Sequence, residues 1–63
     1  MANLPAIVRA TRQSAMAIER MQRANRLVRT ARWKNDLESA LQSYKRAERD
    51  YIRAQTILDN NPL

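Results

Sequence analysis

Alanine returns every seventh residue along most of this chain, and its phase breaks once. Ala10, Ala17, Ala24 and Ala31 form one column, and Ala40, Ala47 and Ala54 form another. A small residue at one heptad position lets a neighbouring helix approach closely, toward the lower end of the ~8–10 Å interaxial range. A seven-residue period is a helical signal, and the residues around the columns agree with it. Ala, Arg, Leu, Gln, Met and Glu are all good helix formers. The two prolines, Pro5 and Pro62, stand near the ends, where they interrupt least.

One long helix is excluded by the phase of the larger apolar residues. In the first half, a heptad places Leu4, Thr11, Ile18 and Asn25 at a, with Ile7, Ser14, Met21 and Val28 at d. Val8 and Ala15 begin e, and the first alanine column occupies g, so the apolar stripe is wide. Extended past residue 32, this register puts Asn35, Ser39, Gln42, Arg46, Arg49, Arg53 and Thr56 on the seam, all polar. A new phase starts at Leu37 and repeats at Tyr44, Tyr51 and Leu58, with Leu41 widening it. The offset is not the three or four residues of a stammer or stutter, so a turn is the simpler account.

Local signals place that turn near Trp33, Lys34 and Asn35. Arg29, Arg32 and Lys34 suit a helix C-terminus, and Asp36 and Glu38 suit an N-terminus. Asn35 is a candidate N-cap, with Glu38 three residues on as its capping-box partner. Asn3 or Leu4 begins the first helix, and Asp59, Asn60, Asn61 and Pro62 end the second. The sequence thus predicts a single all-α domain over 1–63. It is a two-helix antiparallel hairpin, with helix 1 over about 4–33, a turn over about 33–36 and helix 2 over about 36–60.

A hairpin of this size has a thin core. Cysteine and histidine are both absent, so disulfides and thiolate or imidazole metal sites are unavailable as staples. Oligomerisation is what remains. The expectation is self-association into a dimeric or trimeric helical bundle through Ile7, Ile18, Met21, Val28, Leu37, Leu41, Tyr44, Tyr51 and Leu58. Asn25, at an a position, either sets register or faces water. Trp33 is read as a cap on the end of the small core, or else as a contact anchor at the turn. Met16 and Leu27 fall on the outer face of helix 1, as isolated apolar residues or as a second contact surface.

The same absences bear on function. Without His, Cys or Gly there is no Ser-His or Cys-His pair and no glycine-rich phosphate loop. No catalytic, cofactor-binding or metal-binding residue is expected. No apolar run approaches the ~18 residues of a membrane span. The acid-poor start of the chain reads as the first turns of a basic helix rather than a targeting peptide, because the same pattern continues well past it. The expected setting is cytoplasmic.

Charge is strongly lopsided. Residues 1–34 carry eight cations against Glu19 alone, net +7, and residues 35–63 carry four cations against five acids, net −1. Arg9, Arg12, Arg20, Arg23 and Arg26 fall away from the helix 1 seam, on a ridge about 25 Å long. Ten of the twelve cations are Arg, whose fixed fork suits phosphate or carboxylate. That ridge is a candidate for nucleic acid or for an acidic protein partner. No helix-turn-helix pattern and no aromatic stacking platform accompany it, so nucleic-acid contact would be of backbone or shape type.

With its alanine-rich seam and hairpin plan, the architecture is similar to that of the Rop plasmid proteins, whose hairpins dimerise into four-helix bundles. No RNA-binding motif of that family matches residue by residue here. The Arg- and Ala-rich two-helix style also resembles the small accessory proteins of lambdoid phage early regions, between the exonuclease and excisionase genes. That resemblance implies a non-catalytic, self-associating factor, cytoplasmic in a bacterial host, that influences phage development through a host or phage protein.

Overall fold

The computed structural model describes residues 2–62. It contains two helices, α1 (Leu4–Thr30) and α2 (Lys34–Asp59), packed along their length as an antiparallel all-α hairpin. The molecule is a narrow rod, 50 × 13 × 12 Å.

Helix α1 starts where expected. The Asn3 side chain accepts a hydrogen bond from the Ala6 amide at 3.2 Å, and Pro5 lies in the first turn, where its missing N–H costs nothing. The turn comes a few residues earlier than the expected 33–36. Thr30 ends α1 and Lys34 already begins α2, leaving only Ala31, Arg32 and Trp33 between them. Ala31 and Trp33 are both extended, at φ/ψ of −65°/126° and −118°/147°. Among the described residues no φ is positive, so a chain without glycine makes this reversal unstrained.

Two expectations at the turn are corrected. Asn35 is not the cap: it lies inside the first turn of α2, and Trp33 occupies the N-cap without a side-chain capping bond. Indole has no acceptor for a backbone amide, so this helix start relies on Asp36 in its first turn and on packing. Nor does Trp33 cap the core. It is 73% exposed at the hairpin tip, because the extended turn carries it beyond the last layer of contact.

The open end is tied by Asn61. Its side-chain oxygen accepts from the Asn3 amide at 3.2 Å, and its side-chain nitrogen donates to the Ile57 carbonyl at 2.8 Å. One residue thereby bridges the start of α1 and the end of α2.

The alanine columns are the core. Ala10, Ala17, Ala24, Ala40, Ala47 and Ala54 are each 0–3% exposed, and Ser14 is the only other buried residue described. Sequence reasoning placed alanine at the edge of the α1 stripe, with the larger residues at its centre. The structure reverses this order. Two helices in close contact have room between them only for small side chains, so the larger ones splay to the sides. Ile7, Met21, Val28, Tyr44, Tyr51 and Leu58 are half-buried, while Ile18, Leu37 and Leu41 are exposed.

A bulky side chain at the middle of the seam must force the helices apart. Ala47→Leu is expected to cost about 1–3 kcal/mol by overpacking, read as a lower midpoint in thermal or urea unfolding followed by circular dichroism. An unchanged midpoint would disprove the seam.

Candidate functional site

With the alanines pointing inward, the 100° step of an α-helix sorts every neighbouring position to one of two sides. Residues one and four places after a seam alanine face one way. Those one place before or three places after face the other way. The hairpin therefore has two long flanks, and they differ sharply in chemistry.

The first flank is apolar. From α1 it carries Ile7, Ile18, Met21 and Val28, and from α2 Leu37, Leu41, Tyr44, Tyr51 and Leu58. These are the residues expected from sequence to form the self-association surface, and the fold gathers all nine on one side. Ser14 and Gln55 join across this flank, the Gln55 amide donating to the Ser14 hydroxyl at 3.0 Å. Asn25 is exposed here, in a shallow depression with Ile18, Met21 and Tyr44. No cation occupies a flanking position on this side.

The second flank is basic. Arg9, Arg20 and Arg23 from α1 meet Arg46 and Arg53 from α2, against Asp36 and Asp50, for a net charge of +3. Arg20 crosses the junction to Asp50, Nη1 to Oδ2 at 2.7 Å, and both side chains are 45% exposed. This is the only ion pair among the described residues. Three shallow depressions run end to end along this junction. The first is lined by Met16, Arg20, Asp50 and Arg53, and the second by Arg20, Arg23, Leu27, Ser43 and Arg46. The third, lined by Leu27, Ser39, Ala40 and Ser43, ends at the turn. Shared lining residues make them one continuous groove.

The predicted arginine ridge is thus divided. Arg9, Arg12, Arg20, Arg23 and Arg26 are all exposed, but they do not act as one surface. Arg20 and Arg23 turn into the groove, Arg9 lies on the same flank, and Arg12 and Arg26 point outward. Sequence reasoning missed Arg46 and Arg53, which complete the groove from α2. A signal for them was present: Arg9, Arg23, Arg46 and Arg53 each immediately precede a seam alanine. Met16 and Leu27, read as outer-face residues, are 56% and 54% exposed and sit in this groove among the arginines.

Arginine guanidinium groups stay protonated and serve to bind or to neutralise. No family model matches the sequence, and no curated protein or solved structure is significantly similar to it. No described helix is long and apolar enough to cross a membrane.

The Arg20–Asp50 pair is exposed and solvent-screened, so Asp50→Asn is expected to change stability by no more than about 1 kcal/mol. It should also raise the positive charge of the groove. Chemical unfolding at low and moderate salt checks this; a loss of several kcal/mol would mean the pair organises the hairpin.

Proposed function

We propose that this chain is a non-catalytic, self-associating helical interaction protein, assembling as a dimeric four-helix bundle or a trimer through its apolar flank. One observation carries the reading: every apolar residue buried within the described chain is an alanine. On the apolar flank, Ile7, Met21, Val28, Tyr44, Tyr51 and Leu58 are only partly buried, and Ile18, Leu37 and Leu41 are exposed. Each fully buried Leu, Ile or Met contributes about 1.5–3 kcal/mol, so the largest source of stability is unused until something covers that side. A second copy is the covering surface always present at matching length and chemistry. Across a twofold axis the flank meets itself, bringing isoleucine, leucine and tyrosine together, with the acid Glu48, one place after Ala47, at its edge.

The absence of His and Cys and the scattering of six carboxylates support a binding role rather than catalysis. The length, hairpin plan and Arg- and Ala-rich composition also favour reading it as a small accessory factor of a temperate phage. Such a factor would work in the cytoplasm of the bacterial host by contact with another macromolecule.

Sedimentation velocity over a wide concentration range tests the assembly. The expected result is a species of two or three copies, with Leu41→Glu shifted toward the single chain and melting earlier. Stable, helical and strictly monomeric wild-type protein would overturn the proposal. Tyr51→Ala is expected to cost the assembly about 3–5 kcal/mol, the range for emptying a buried aromatic site, read as a lower melting temperature that depends on protein concentration. Unchanged melting of this variant would remove the flank from the interface.

A further inference from the structure

The arginine groove needs a different occupant from the apolar flank. It rests on the reading of this chain as an interaction protein, and it concerns the opposite side. From groove geometry and charge, we infer that this side docks an acidic amphipathic helix of a partner protein. Arg20, Arg23, Arg46 and Arg53 flank the bound helix, while Met16 and Leu27 contact its apolar stripe.

Three observations select that occupant. The groove has an apolar component as well as a basic one. Met16 and Leu27 are more than half exposed within it, and Ala24 and Ala40 line its floor. They stand eleven residues apart on α1, about 16 Å or three helical turns. A partner helix with apolar residues spaced i, i+3, i+7 and i+11 matches that separation. Its acidic side chains, beside the stripe, then meet guanidinium forks from both α1 and α2. Arginine and methionine together, with apolar contact at the centre, are the composition enriched in protein interfaces.

Nucleic acid fits less well. None of the three aromatic residues, Trp33, Tyr44 and Tyr51, lies along this groove, so bases have no surface to stack on. Asp36 lines the third depression, and Asp50 lines the first, paired to Arg20. Their carboxylates oppose an unbroken run of phosphates, whereas a helix can set a neutral residue opposite each. A second copy of this chain is also disfavoured. Twofold pairing of this side would set its arginines against one another. Neither outward face carries an excess of acid: Glu38 and Asp59 stand beside Lys45 and Arg49 on α2, and Glu19 stands beside Arg12, Arg26 and Arg29 on α1.

The test uses the full-length chain and a labelled synthetic helix of about 18 residues, with leucine at the stated spacing and glutamate on its flanks. Binding is followed by fluorescence anisotropy. Controls are a scrambled peptide of equal charge, a duplex DNA and a hairpin RNA. The striped peptide is expected to bind at least about tenfold more tightly than its scramble. Arg23→Gln with Arg46→Gln, and separately Met16→Ala with Leu27→Ala, should each weaken it by about tenfold or more. Sedimentation and circular dichroism of these variants should match wild type, since none lies on the apolar flank. A change in assembly alone would therefore count against the self-association proposal and not against this one. Equal binding of the scramble, tighter binding of DNA or RNA, or indifference to the Met16 and Leu27 replacements would overturn it.

Discussion

Close approach of two helix backbones is the constraint from which the rest of this molecule follows. Six alanines at seven-residue spacing line the centre of the contact between α1 and α2, and among the described residues no large side chain is fully buried. A seam this narrow excludes the leucines, isoleucines and tyrosines that would ordinarily fill a core. They lie beside it instead. The hairpin holds its shape but leaves its large apolar side chains partly or fully wet.

The same geometry separates two chemistries. Because the helices are antiparallel and both bury their alanines, positions one and four after each alanine fall on one flank, and positions one before and three after fall on the other. On the first flank stand Ile18, Met21, Tyr44 and Tyr51; on the second stand Arg20, Arg23, Arg46 and Arg53. A rod only 13 Å across therefore presents an apolar surface on one side and a basic one on the opposite side.

Much of the plan was legible in the residues. Heptad period, alanine columns, the phase break after residue 32 and proline near both ends specify two antiparallel helices. The nine residues expected on the association surface do share a side. What was not legible is informative. Asn35 looked like a cap because its side chain suits that role, but the turn closed three residues after Thr30 and left Asn35 inside the helix. Trp33 was expected to cap the end of the core or to serve as a contact anchor at the turn, and the extended turn holds it outside the core. Both depend on where the chain reverses, and several adjacent residues with similar propensities compete for that place.

Amino-acid order by itself determined the helical state, the hairpin and the unequal distribution of charge, since these follow from local propensity and a repeat one residue type maintains. Tertiary structure decided which members of the stripe became the core and which arginines became neighbours. Both are questions of rotation about the helix axis and of register between helices. Only the contact between α1 and α2 sets them, by admitting methyl groups to the seam and turning Arg20 toward Asp50 on the far side.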